Sequence, residues 1–448
     1  MAPKSISRVL GEFLVNLSYV DLPPEVVDRT KCLILDALAC GIAGCESAYR
    51  KIALKLVRNN SSQATVFTTG LTLRAVDAAF VNAILVNSIG QDDMLYVSHP
   101  GTVIIPAAFA VSEEEGSSGS EVITAIVAGY DVLGRIFLGG PAIVPRFRGV
   151  SVFGPFGSAA ASGKLLKLNE DEMTSALGYA ANFASGFAEC WVAGTMEAKF
   201  HVGMASRNGV MAAELAKAGA KAAETSLEGK SGFYQAFAGT TAMADAATTD
   251  LGKRFLIMEA EVKSYPVCGL QQVPVELALT LMKQHDIKGK DVIRIIETMP
   301  ESEYLYPGTN YAGPFTTRFQ AIMSAQYCAA ATFLGKPIAS PSFYDRCYND
   351  PGVGELARKV ELVGVKGRSK TRIEVVLRDG RQYGIEDNGS EMLVPTIEKI
   401  KMKFENLTYD FLGKEKSGRI IDAVLTLEKL DNISKLTQIL NSNEIDRG

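Results

Sequence analysis

Ala75-Val76-Asp77-Ala78-Ala79-Phe80-Val81-Asn82-Ala83-Ile84 sets the character of the chain. Ala75, Val76, Ala79, Phe80, Ala83 and Ile84 recur at helical spacing and turn one apolar stripe toward a core. Gly90 is expected to stop this helix, so that Gln91 to Gly101 forms a loop. A second helix is expected from near Ser120, burying Val122, Ile123, Ile126, Val127, Tyr130 and Leu133. Asn169 with Glu172 reads as a capping arrangement for a third, ending near Ala181. Between Gly154 and Ala220 the chain is crowded with Ala, Gly and Ser, which let helices approach closely.

After about Lys263 the character changes. Val292 to Thr298 is a β-branched run, and Arg372 to Leu377 with Arg381 to Ile385 flank an Asp379-Gly380 turn, a hairpin signal. Gln320 to Leu334 reads as one helix between these strands. The expected fold is therefore mostly α with an α+β second domain. A large all-helical domain spans 1–264, a smaller mixed α/β domain spans 265–395, and C-terminal helices over 396–448 pack back on the first.

The 448 residues exceed the size at which one core keeps growing, which also favours two domains. A net charge of -4 with no basic stripe argues against nucleic acid as a partner. Met1 to Phe13 lacks the apolar core of a signal peptide, and Asp77, Asn82 and Asn87 interrupt the most apolar stretch, so no membrane partner is expected. Seven scattered cysteines without a CxxC pair read as reduced thiols, with a cytoplasmic address as the default.

Three histidines, His99, His201 and His285, give no metal-ligand spacing. Gly157 to Lys164 has five residues between its glycines and Leu165 where a phosphate loop needs Ser or Thr; no GxGxxG follows a strand. No cofactor and no metal are expected. The loop Gln91-Asp92-Asp93-Met94-Leu95-Tyr96-Val97-Ser98-His99-Pro100-Gly101 is different. Its adjacent carboxylates precede a histidine, and a carboxylate beside an imidazole raises its basicity and orients the ring. The bland alternative is a turn-capping Asp92 and a buried, bonded His99. Lys199, in Glu197-Ala198-Lys199-Phe200-His201, is placed just before a helix expected to start near Met204, where the helix dipole lowers a lysine's pKa. Lys263 to Gln272 lies at the expected domain boundary, and Arg146 with Arg148 could hold a carboxylate, though a surface pair is commoner.

In this order, Lys31 to Cys40, His99-Pro100-Gly101, Gly129-Tyr130-Asp131 to Arg135, Gly154 to Lys164, Arg207-Asn208-Gly209 and Lys263 to Glu276 resemble the MmgE/PrpD family. That family holds 2-methylcitrate dehydratase, aconitate decarboxylase and iminodisuccinate epimerase. The resemblance implies a helical domain and an α/β lid with the site between them, a homodimer, no metal, and a small-molecule carboxylic acid as partner. It implies His99 as proton donor or acceptor and Lys263 as a substrate contact, with Lys199 as a further catalytic candidate. Asp92, Asp93, Arg148, His201, Cys268 and Gln272 complete the expected substrate-binding set. Departures from the family pattern fall at Gly90, Met94, Arg148, Ala198 (with Lys199 shifted by one) and Gln272.

The expected activity is a lyase or isomerase working by proton transfer beside a carboxylate or carbonyl, with dehydration ahead of decarboxylation. Two alternatives stay open. One is a scaffold recruited as isomerase, cyclase or epimerase for a less charged intermediate, with Tyr304, Leu305, Tyr306 and Tyr311 as an apolar lid. The other is a catalytically dead, metabolite-binding homologue.

Overall fold

The computed structural model describes residues 4–58 and 62–441. It forms two compact units. The first comprises 1–187, 199–262 and 395–448; the second comprises 188–198 and 263–394.

The first unit is a stack of helices: α1 (Pro24–Ala43), α2 (Ala75–Ser88), α3 (Pro100–Glu115), α4 (Gly119–Gly139), α5 (Gly149–Leu165), α6 (Glu170–Phe183) and α7 (Glu197–Lys217). A two-residue ribbon, β1 (Ala64–Thr65) with β2 (Thr72–Leu73), is a small departure from an all-helical reading. Nearly every residue of α2 to α5 is buried, so these helices are apolar all round rather than striped. α4 passes a length and composition test for crossing a bilayer, yet its apolar window is 89% buried inside the unit, as in a core helix.

Small residues set the packing distance. A Cβ on Gly129 of α4 would meet Gly157 O at 2.8 Å, and one on Gly157 of α5 would meet Gly129 O at 2.9 Å. The two backbones touch there, and a methyl on either side would force them apart. Near Pro106 in α3, Val103 O accepts the hydroxyls of Ser158 from α5 and Ser206 from α7, at 3.0 and 2.8 Å. Three helices are thus tied at one carbonyl. Gly157 to Lys164 lies inside α5 as continuous helix and offers no loop for a phosphate.

In the second unit, α8 (Gln272–His285) precedes β3 (Val292–Pro300); α9 (Arg318–Met323) and α10 (Ala325–Phe333) follow, then β4 (Val360–Val365), β5 (Thr371–Leu377) and β6 (Gln382–Asp387). The sheet order is β4-β3-β5-β6, with β3 parallel to β4 and the other pairs antiparallel. Along β5, Thr371, Ile373, Val375 and Leu377 alternate inward. The expected hairpin is present: Gly380 adopts φ 88° in the turn, and Asp379 accepts from Arg381 N at 3.0 Å. His285, at the end of α8, stacks on Tyr383 with 3.9 Å between ring centres.

The single helix expected over Gln320 to Leu334 is instead two. Ser324 is extended (φ -73°, ψ 123°) and caps α10, its Oγ accepting from Tyr327 N. The chain returns to the first unit as α11 (Ile397–Leu425), which breaks at Gly413 (φ 72°) and packs on α1.

Candidate active site

The segment between α2 and α3 folds back on itself. Gly90, at φ 75°, lies in the left-handed region directly after the C-cap of α2 and ends that helix. Leu95 and Ser98 exchange both backbone hydrogen bonds, at 3.1 and 3.0 Å, across a turn in which Tyr96 has φ 54°. Pro100 then starts α3 at the position where its missing N–H costs nothing.

This course returns His99 to Asp92 and Asp93. Its Nδ1 lies 2.9 Å from Asp92 Oδ2 and 2.9 Å from the Asp93 carbonyl oxygen. Facing two oxygen acceptors, Nδ1 carries the proton of the neutral ring, and Nε2 is left as the basic nitrogen. Asp92 is fully buried, and its Oδ1 accepts from Asn87 Nδ2 at 3.1 Å. The Asn87 carbonyl in turn accepts from Lys199 Nζ at 2.6 Å. Asp92, Asn87 and Lys199 therefore form one hydrogen-bonded chain, which His99 meets at Asp92 Oδ2.

Asp93 turns the other way. Its Oδ1 accepts from Gly101 N at 2.9 Å and its Oδ2 from the Tyr130 hydroxyl at 2.7 Å. A Cβ on Gly101 would stand 2.5 Å from Asp93 Oδ1, so only glycine fits there. Burial first, then the charge of Asp36, push the Asp93 carboxyl up to about 8, against the Tyr130 hydrogen bond that lowers it. Asp92, not Asp93, is the residue whose carboxyl oxygen faces the ring.

Sequence reasoning did not give Asp36, Tyr130 and Lys403 a place here. Lys403, on α11, donates from Nζ to Asp36 Oδ1 and to Gln91 O, both at 2.5 Å. Burial opposes its charge, but Asp36, Cys40 and Asp92 outweigh it and raise the ammonium above its ordinary value. Two signals were available. Asp36 is a lone acid in the apolar run from Cys32 to Ile42, and Lys403 shares a helix face with Ile400 and Phe404.

Lys199 does not precede a helix start near Met204. α7 begins at Glu197, and Lys199 sits buried in its first turn. Gly203 is inside the helix because a Cβ there would meet Ile84 and Phe80 at 2.8 Å, so close packing on α2 overrides glycine's helix cost. The arginines do not act as a pair. Arg146 donates to Phe237 O at 3.0 Å, whereas Arg148 is buried immediately before α5, its backbone N–H bonded to Gly186 O at 3.1 Å. A Cβ on Gly149 would meet Val97 O at 2.3 Å, so the start of α5 abuts the His99 loop. His201 borders the same corner, its Nδ1 facing Gly186.

Lys263, Cys268 and Gln272 lie in the second unit. Lys263 is buried. Burial raises the Cys268 thiol, which disfavours a thiolate nucleophile. Gln272 Oε1 accepts from Ser264 N and Tyr265 N at 2.9 and 3.1 Å, and its Nε2 donates to Tyr265 O at 2.9 Å. This amide clasps the backbone next to Lys263 and does not titrate. An imidazole could not both accept twice at one atom and donate at another with the same reach.

Comparison with known proteins gives the family. Residues 8–245 match the MmgE/PrpD N-terminal domain and residues 265–429 the MmgE/PrpD C-terminal domain. The chain is 27% identical to cis-aconitate decarboxylase of Mus musculus, over 99% of this chain and 95% of that one. It is 27% identical to the Homo sapiens enzyme of that name, over 98% and 95%, and 25% identical to the Aspergillus terreus enzyme, over 98% and 96%. With both domains matched in order, the chain belongs to the MmgE/PrpD family.

Proposed function

We propose that this protein is a lyase that moves a proton at a carbon beside a carboxylate, with His99 Nε2 as the acid and base. The observation that carries the reading is the capture of His99 Nδ1 by Asp92 and the Asp93 carbonyl. When Nε2 takes a proton, the Asp92 carboxylate stabilises the imidazolium and keeps the ring in place. Lys199, bonded to Asn87 O, supplies positive charge at the other end of the same chain. Lys263 is assigned a carboxylate-anchoring role by its match to the family's substrate lysine.

The named relatives favour decarboxylation of a cis-aconitate-like acid. In that step the bond to the departing carboxyl breaks, carbon dioxide leaves, and the electron pair spreads over the adjacent double bond. The carbon at its far end then takes the proton from Nε2. Dehydration uses the same nitrogen first as base and then as acid, abstracting the carbon-bound proton and returning it to the departing hydroxide, which leaves as water. Arg148 and Gln272, two of the departures from the family pattern, carry no imidazole, and of the first unit's two histidines His99 is the one held by a carboxylate.

The test is turnover of cis-aconitate and 2-methylcitrate in heavy water, following carbon dioxide, unsaturation and deuterium uptake separately. His99→Ala is expected to lower kcat by about 10²–10⁴-fold. Undiminished turnover in that variant would remove His99 from the mechanism.

A further inference from the structure

We propose that Tyr96 and Glu259 are positioning residues for His99, their hydrogen bond holding the turn that brings the imidazole to Asp92. This rests on the reading of His99 as acid and base and adds what keeps the ring in place.

Tyr96 is an aromatic residue at φ 54°, in the left-handed region that bulky side chains rarely adopt. It stands in the turn across which Leu95 and Ser98 exchange both backbone hydrogen bonds, three residues before His99. Such a backbone persists only where its surroundings over-determine it, and residues held this way cluster at functional sites. Two contacts hold this one. The ring stacks on Phe137 of α4 with 4.8 Å between centres and 23° between planes. The hydroxyl donates to Glu259 Oε2 at 2.8 Å. Burial first, then the Glu259 bond, push that hydroxyl up to about 12, so it keeps the proton it donates.

Glu259 is itself fixed. Its other oxygen, Oε1, accepts from Arg254 Nε at 2.7 Å. The backbone around this pair is tied to buried charge in the helices. Arg135 of α4, ion-paired with Asp131, donates to Arg254 O at 3.0 Å, and Asp131 Oδ1 accepts from Leu256 N at 3.0 Å. Arg29 of α1 donates to Met258 O and Ala260 O at 2.9 and 3.0 Å. From this anchored stretch the chain grips the His99 loop twice. Met94 and Glu261 exchange both backbone hydrogen bonds at 2.8 Å, which fixes the loop beside the acid pair. The Tyr96–Glu259 bond fixes it again in the turn nearer His99. The first grip is made by backbone alone, so the second is the one that depends on side-chain identity.

The experiment uses the full-length protein with nitrogen-15 histidine. The chain has three histidines, so the Nδ1–H that His99 directs at Asp92 can be followed by itself. Tyr96→Phe keeps the ring on Phe137 and removes only the hydroxyl; Glu259→Ala removes the acceptor. Each is expected to speed exchange of the His99 Nδ1 proton by about tenfold or more, as local opening becomes easier. Each should lower kcat by about tenfold, a fraction of what a 1 Å misplacement can cost, with KM changed far less. The double variant should lose no more than Tyr96→Phe alone, because both act through one bond. Unchanged exchange in both single variants overturns the proposal, whether or not kcat falls, and so do additive losses in the double variant. Faster exchange with undiminished kcat leaves the positioning in place and removes His99 from the reaction.

Discussion

At His99 the decisive quantity is which nitrogen holds the proton, and Asp92 is the neighbour whose chemistry decides it. An asparagine at position 92 can turn its amide N–H toward Nδ1 and so favour the tautomer with the proton on Nε2. Asp92→Asn is therefore expected to lower kcat by about 10²–10⁴-fold, the scale seen when a histidine's orienting acid becomes an amide. Calorimetric affinity for an unreactive tricarboxylate should change little. A kcat within a few-fold of the wild type would show that Asp92 does not set the tautomer. The acid pair and His99 were legible because loop spacing alone brings them together. Lys403 was not, because 312 residues separate it from its acceptor Gln91.

Among the elements, β3 carries a cost of its own. Glu297 points inward between Ile295 and Met299, and both its oxygens are buried without a hydrogen bond among the described residues. Burial first, then Glu303, push its carboxyl up to about 8 from 4.5. The folded form keeps a proton that the unfolded chain releases above the lower value, so stability is lost as pH rises from about 4.5 to about 8. Glu297→Gln lacks this loss. The melting temperature of Glu297→Gln minus that of the wild type should grow by several degrees between pH 5 and pH 8, on the order expected per kcal/mol. A difference that stays constant with pH would count against a protonated Glu297. Element by element, the Asp379-Gly380 hairpin and the Asn169–Glu172 capping box were readable, because each is a local signal with a local cause. The break at Ser324 and the early start of α7 were hidden. One depends on a cap bond inside a continuous helix-forming run, the other on contacts with Phe80 and Ile84.

Over the whole chain, the mostly helical character and the later mixed sheet follow from hydrophobic period and β-branched content, and both are present. What period cannot reveal is the buried ion pair joining α1 to α11. Lys403→Met leaves Asp36 buried without its cation and is expected to cost about 3–5 kcal/mol. Adding Asp36→Asn should recover a substantial part, since an amide in that place carries no unpaired charge. Urea unfolding of both single variants and the double variant measures this; equal losses in the single Lys403→Met and the double variant would deny the coupling.

The same ion pair orders events during synthesis. Asp36 and Lys403 are 367 positions apart, and the whole second unit is made between them. At ribosomal speeds of about 5–20 residues per second, Asp36 waits roughly 20–70 s for its cation. The nascent helical unit therefore spends most of its time on the ribosome with an acidic centre it cannot yet close. Premature termination before α11 would release a chain whose defect lies beside the proposed acid-base pair rather than at a dispensable tail.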